Sequence, residues 1–201
     1  MTVLLDRKQV VDDGMNVPGL IDRDELELLF DKAVEYITPG DIVAEIGSFK
    51  GRSSYVLATV CAYVAAEFHT IDPYVEFEVH TDPVRRAVDE MSELGPLGFR
   101  KKYLEVALEG LPVVYHTMMA AEAAPMFGNG SLRLLFIDGD HTRAAVLSDL
   151  ANYWPKLMPG GVLIGHDYGT RLWEETTEAY DFFFSPRKPD ATLHRMAVYI
   201  K

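Results

Sequence analysis

One cysteine, Cys61, stands in 201 residues. No internal disulfide can form, so a secreted, disulfide-stapled module is excluded and a reducing cytoplasm is the expected compartment. The same scarcity excludes a thiolate zinc site and leaves histidine and carboxylate as the available metal donors. No run approaches the about 18 apolar residues of a membrane-spanning helix. The first stretch, MTVLLDRKQVVDDGMNVPGL, also lacks the apolar block of a signal peptide. Basic residues are few: 19 Lys and Arg face 31 Asp and Glu, a formal net charge of −12. That deficit argues against nucleic acid as a partner and against docking on anionic membranes. Internal repeats, low-complexity tracts and charge blocks are lacking as well.

What is present reads as a globular chain, with 48% hydrophobic and 25% charged residues. Its length fits one domain over 1–201, with 1–20 an irregular N-terminal arm or lid ending at Pro18-Gly19 and 21–201 the core. Asp22-x-x-Glu25 reads as a capping box, and Leu26, Leu29, Phe30, Ala33, Val34 and Ile37 follow at helical spacing. Short apolar runs at 41–47, 68–72, 113–117, 132–138, 161–167 and 192–200 read as strands. Helical stretches over 53–66, 142–157 and 171–183 alternate with them. The best strands are apolar on both faces, as a parallel sheet covered on both sides requires. The fold class is therefore α/β, an open doubly wound sheet, whose ligands sit beyond the carboxyl ends of the strands.

The residues just past each strand carry the chemistry. Glu45-Ile46-Gly47-Ser48-Phe49-Lys50-Gly51-Arg52-Ser53 follows the first strand. Its glycines permit a tight turn, and the next helix offers free N–H groups to an anion. Asp72 stands 21 residues beyond Gly51, where an acid of a βαβ nucleoside site accepts from ribose hydroxyls; the alternative is a turn Asp before Pro73. Asp138-Gly139-Asp140-His141 and His166-Asp167-Tyr168 follow two strands 29 residues apart, one crossover. Neighbouring strands lie about 4.8 Å apart, so Asp138 and Asp167 come together, and a divalent cation between them relieves their repulsion. His141 at the same mouth suits a general base, with a helix N-cap or a metal ligand as alternatives. Asp149 and Asp181 read as surface carboxylates, and Lys50, Arg52, Arg100, Lys101 and Lys102 as solvated. His69, His80, His116 and His194 read as structural or exposed, and Cys61 as an inert core thiol.

EIGSFKGRSS, HTIDPY, LRLLFIDGDH and PKLMPGGVLIGHDY, in this order, resemble the class I S-adenosylmethionine-dependent methyltransferases. DGDH and GHDY resemble, more narrowly, the metal-dependent sugar and macrolide-sugar O-methyltransferases. The resemblance runs from about Ile42 to Tyr168. It implies a Rossmann-like, mostly parallel seven-stranded sheet with an antiparallel C-terminal strand. Glu45, Gly47 and Ser48 would line the methionine end of S-adenosylmethionine, with Gly51 and Ser53 closing that loop and Asp72 on the ribose. Ala120, Ala121 and Glu122 would flank the adenine, and Asp138 would border both cofactor and metal. Asp138 and Asp167 match metal ligands, with Mg²⁺ the implied ion, and His166 falls where relatives carry a further, often carboxylate, ligand. His141 matches the catalytic histidine of the sugar enzymes.

The acceptor implied is a small-molecule hydroxyl, foremost a saccharide or glycosylated metabolite, with a catechol as runner-up. A metal-dependent hydroxylase and a non-catalytic S-adenosylmethionine-binding protein are the other readings of this framework. Tyr168 and Trp173 are the expected acceptor contacts, with the arm, Tyr180 and the segment 74–110 as further candidates; core packing is the alternative for the aromatics. Val3-Leu4-Leu5 and Val10-Val11 suit either a lid or a homodimer contact.

Overall fold

The structure, a computed structural model, describes residues 5–75 and 82–201, with side chains from 85 onward in the second stretch. In chain order the elements are α1 Arg7–Asn16, α2 Arg23–Tyr36, β1 Ile42–Ile46, α3 Arg52–Val64, β2 Glu67–Ile71, α4 Asp82–Lys102, α5 Leu104–Ala107 and β3 Val113–His116. There follow α6 Ala120–Ala123, β4 Leu132–Ile137, α7 Arg143–Tyr153, β5 Leu157–Gly165, α8 Glu174–Phe184, β6 Ala191–Leu193 and β7 Met196–Ile200. The strands form one sheet in the order β3-β2-β1-β4-β5-β7-β6. β1 to β5 pair in parallel, while β7 runs antiparallel to both β5 and β6. This is the doubly wound, mostly parallel seven-stranded sheet expected.

β4 reads LRLLFI with five of its six residues buried, because helices cover the sheet on both faces. One core cluster joins Leu26, Leu29, Leu57, Phe68 and Phe136; the other joins Ile137, Leu150, Tyr153, Leu163 and Tyr199. Burying each such side chain contributes about 1.5–3 kcal/mol. The strand order reverses between β1 and β4, so the crevice of the fold opens above the ends of these two strands.

Four local expectations change. Residues 7–16 of the arm are helical, capped by the Asp6 carboxylate, which accepts from Lys8 N at 2.9 Å. Val10 and Val11 are buried in the main core cluster, so this part of the arm is packed and is not a free lid. The strand expected over 192–200 is a hairpin, broken at His194, whose φ of +53° reverses the chain. Asp149, read as a surface carboxylate, is buried on the inner face of α7 with Val146, Leu150 and Tyr153. Three of the basic residues read as solvated are structural: Arg52 donates to Val17 O and Ile21 O, each at 2.8 Å, Lys50 lies 4.2 Å over the Tyr103 ring, and Arg100 Nε donates to Glu105 at 2.9 Å. His80 lies outside the described residues. Among the described residues, no helix is long and apolar enough to cross a membrane.

Candidate active site

Gly47 leaves β1 with φ +87°, in left-handed backbone, and donates to Ile71 O at 2.9 Å. A Cβ there would lie 2.0 Å from the Asp138 carbonyl oxygen, so only glycine lets the loops after β1 and β4 touch. Gly51 (φ +100°) turns the chain into α3. Phe49, between them, also has positive φ, +47°, the kind of strain that concentrates at functional sites. Asp72 closes this loop: its Oδ2 accepts from Phe49 N and its Oδ1 from Tyr74 N, both at 2.8 Å. Burial raises its pKa against these backbone bonds. The hydroxyls of Ser48 and Tyr74 pair at 2.8 Å. Glu45 is wholly buried beneath the loop. The Ser54 hydroxyl donates to its Oε2, while Oε1 has no hydrogen bond. Burial pushes its carboxyl up to about 8, against the hydroxyls of Ser53 and Ser54 and with help from the charges of Asp138 and Asp72. Past β3, Ala121 and Glu122 of α6 are exposed, and Glu122 accepts from Met119 N at 3.0 Å.

The register of β4 on β5 pairs Ile137 with Gly165, which sets Asp138 beside His166. Asp167, at φ +55°, turns its carboxylate back into the same space. His166 Nδ1 lies 3.1 Å from Asp138 Oδ1 and 3.2 Å from Asp167 Oδ2. His141 Nε2 lies 2.9 Å from Asp167 Oδ2 and 3.7 Å from Asp138 Oδ1. Neither ring nitrogen makes an aligned hydrogen bond. The cluster is held by charge. Burial opposes both imidazolium ions, but the facing carboxylates outweigh it and push His141 up to about 9 and His166 up to about 12. In return the imidazoles hold Asp138 and Asp167 below the usual carboxylate range against their own burial. Among the described residues, Asp138, His141 and Asp167 form a group whose donor atoms lie close enough to share a metal ion, within 4.8 Å, and His166 Nδ1 lies beside both carboxylates. A cavity of about 10 Å³ adjoins them, lined in part by Gly139, His166, Thr176 and Tyr180, room for about one water-sized sphere.

Trp173 stacks on His141, with ring centroids 4.2 Å apart and planes 19° from parallel. The Thr176 hydroxyl donates to His141 O at 3.1 Å, and Thr142, rather than His141, caps α7. Tyr168 turns away from the cluster: its hydroxyl donates to Asp181 at 2.8 Å and its ring meets Tyr180 edge-on.

Residues 44–168 match the family of methyltransferase domains. The chain belongs to this family. The O-methyltransferase NovP superposes with a TM-score of 0.66 at 18% identity, over 96% of this chain and 88% of that one. The Podospora anserina methyltransferase PaMTH1, in its SAH-bound structure, gives 0.59 at 11% identity, over 97% and 86%. CalS11, a TDP-rhamnose 3'-O-methyltransferase of calicheamicin biosynthesis, gives 0.55 at 12% identity, over 96% and 92%. This methyltransferase thus has the α/β fold of the S-adenosylmethionine-dependent O-methyltransferases.

In the methyltransferase, Glu45, Gly47, Ser48, Gly51, Ser53 and Asp72 gather around one loop, while Asp138, His141, His166, Asp167 and Trp173 gather at the neighbouring strand ends. Two participants went unread in the sequence. Glu25, on α2, is 1% exposed. Its Oε2 lies 3.2 Å from His166 Nε2, and both its oxygens accept from Arg195, at 2.8 Å each. Arg195, at the β6–β7 turn, also lies 3.4 Å from Asp167 Oδ1. Glu25 was visible only as the acid of a capping box, a role it also fills by accepting from Asp22 N at 3.0 Å. Arg195, set in the apolar run TLHRMAVYI, was the one available signal for its partner.

Proposed function

We propose that this methyltransferase moves the methyl group of S-adenosylmethionine to a hydroxyl of a small molecule, a saccharide or glycosylated metabolite, with the help of a divalent cation. The observation that carries the reading is the pairing of a His141–Trp173 stack with the Asp138–Asp167 carboxylates beside the Gly47 loop. The aromatic face of Trp173 suits the flat apolar face of a sugar ring, and paired acceptors for a cation suit neighbouring hydroxyls. NovP and CalS11, the latter acting on TDP-rhamnose, are in keeping with a sugar acceptor.

The residues present fit both the cofactor and the cation. Glu45 Oε1, buried and without a hydrogen bond, is an acceptor suited to the ammonium of the methionine part, and Asp72 suits the ribose hydroxyls. Gly47, Ser48, Gly51 and Ser53 shape the loop between them, with Ala121 and Glu122 at the adenine side. The buried nitrogens of His141 and His166, facing two carboxylates without aligned bonds, suit a cation held by Asp138, His166 and Asp167. When bound, the sulfonium supplies an activated methyl and the cation lowers the pKa of the acceptor hydroxyl. The chain's own tasks are approach geometry and proton removal. His141 Nε2 is the atom that takes the hydroxyl proton. Its proton affinity is set by Asp138 and Asp167, so neutralising those charges returns it toward the ordinary histidine range. Trp173 fixes the plane of the imidazole, and Thr176 holds its backbone.

The test is methyl transfer from labelled S-adenosylmethionine to glycosides and catechols, with and without added divalent ion, for the wild type and His141→Ala. The expected result is ion-dependent transfer to glycosides, with turnover lowered about 10²–10⁴-fold in the variant and cofactor binding kept. Full transfer after exhaustive chelation overturns the cation, and unchanged turnover in the variant overturns the base. Transfer to catechols alone overturns the sugar. The two imidazoles favour one second reading, a metal-dependent hydroxylase on the same fold; ferrous-ion- and oxygen-dependent turnover with S-adenosylmethionine unconsumed would select it.

A further inference from the structure

Glu25 faces His166 from the side opposite the carboxylates. Four donors converge on it: Asp22 N at 3.0 Å, His166 Nε2 at 3.2 Å, and Arg195 Nε and Nη2 at 2.8 Å each. The Arg195 guanidinium, always charged, pairs with both its oxygens and holds the carboxylate as the anion. An ionised carboxylate only accepts. His166 Nε2 must therefore carry a hydrogen, and the nitrogen left to meet the Asp138–Asp167 gap is Nδ1. That atom is buried, has no hydrogen bond, and lies 3.1 and 3.2 Å from the two carboxylates. A carboxylate behind a histidine that faces metal-binding oxygens is the arrangement that orients an imidazole as a ligand.

Resting on the methyltransferase reading of this site, we propose that Glu25 and Arg195 lock His166 as a nitrogen donor, giving the cation site a mixed nitrogen and oxygen set that selects a transition ion over Mg²⁺. Oxygen-only sets suit Mg²⁺, whereas imidazole suits later first-row ions. Glu25 is a positioning residue: it acts through His166 and touches neither carboxylate of the gap. Arg195 has two tasks, since it pairs with Glu25 and reaches Asp167 Oδ1 at 3.4 Å. The lock joins α2, β5 and the β6–β7 turn, so the preference belongs to the fold as a whole.

The experiment titrates Co²⁺ and Mg²⁺ separately into the untagged, metal-free full chain by calorimetry, for wild type, Glu25→Gln and His166→Asp. In wild type, Co²⁺ is expected to bind at least about 100-fold more tightly than Mg²⁺. Glu25→Gln should weaken Co²⁺ by about 10–100-fold and leave Mg²⁺ within about threefold. His166→Asp should cut the Co²⁺/Mg²⁺ ratio at least about tenfold. Spin-echo spectra of Mn²⁺ on the wild type should report a directly bound nitrogen that His166→Asp removes, and this readout stands even if Glu25→Gln fails to fold. An unchanged ratio in His166→Asp, unchanged Co²⁺ affinity in folded Glu25→Gln, or no His166-dependent nitrogen overturns the proposal. S-Adenosylmethionine binding and methyl transfer are measured on the same samples. Metal selectivity without transfer to any hydroxyl overturns the function and leaves the lock, whereas transfer with equal Co²⁺ and Mg²⁺ affinity does the reverse.

Discussion

Replacing Asp149 by Asn should make the fold relatively more stable at alkaline than at acidic pH. Asp149 is 8% exposed and lies against the Gly139 backbone. Among the described residues no cation or hydrogen-bond donor meets its carboxylate. Burial, with a smaller push from Asp140, raises its pKa from 3.8 to about 7. In the unfolded chain the same group ionises at its ordinary value. Between those two values the folded state holds a proton that the unfolded state has released, so stability falls as pH rises through the window. The slope is about 1.4 kcal/mol per pH unit. From about pH 5 to about pH 8, some two units lie inside the window, so the loss carried by this one group is close to ~3 kcal/mol. Asparagine keeps the shape and does not titrate. Its amide has its own burial cost of about 1–3 kcal/mol, which is independent of pH and cancels in the comparison. Urea unfolding followed by circular dichroism at both pH values, for both chains, measures the effect. The variant should gain about 3 kcal/mol on the wild type between the two conditions. Parallel pH profiles, within about 0.5 kcal/mol, would refute the assignment of a buried, uncompensated carboxylate.

Gly47→Ala combines an unfavourable φ of +87° with a Cβ 2.0 Å from the Asp138 carbonyl; a loss of about 2–5 kcal/mol is expected, read by denaturant midpoint, and a loss under about 1 kcal/mol would show that the loops separate freely. Tyr180→Phe deletes a buried hydroxyl that has no hydrogen bond, so stability should change by less than about 1 kcal/mol; a loss above about 2 kcal/mol would mean the hydroxyl has a partner after all. Trp173→Ala removes the ring stacked on His141 and should raise KM for the acceptor more than for S-adenosylmethionine. Equal effects on both would place its role in folding. Arg195→Met uncouples Glu25 and, by leaving a buried charge with fewer donors, should cost about 2–4 kcal/mol in thermal unfolding; a change below about 1 kcal/mol would argue that the pair is solvated.

The strand ends were legible because parallel strands buried on both faces are continuous apolar runs, and the residue that breaks each run is the one at the crevice. Asp138 and Asp167 were found this way, and the 29-residue spacing correctly made their strands neighbours. Glu25 and Arg195 were not legible: they are 170 residues apart, and no local pattern announces a pair made by tertiary closure. Asp149 could have been read. It falls with Val146, Leu150 and Tyr153 on one helical stripe, and that position decides its burial despite its charge. Helix α1 was obscured by Asp12, Asp13 and Gly14, which lower helix propensity. Packing prevails there, because the space a Cβ would take at Gly14 is already filled to within 3.0 Å by Leu26.

The contact between Gly47 and the Asp138 carbonyl also bears on how such a chain can diverge. A side chain at position 47 fits only if the loop after β4 retreats, and that retreat would draw the Asp138 carboxylate away from His166. Each loop is therefore the other's mould. A lineage must inherit the loops after β1 and β4 together, or replace them together.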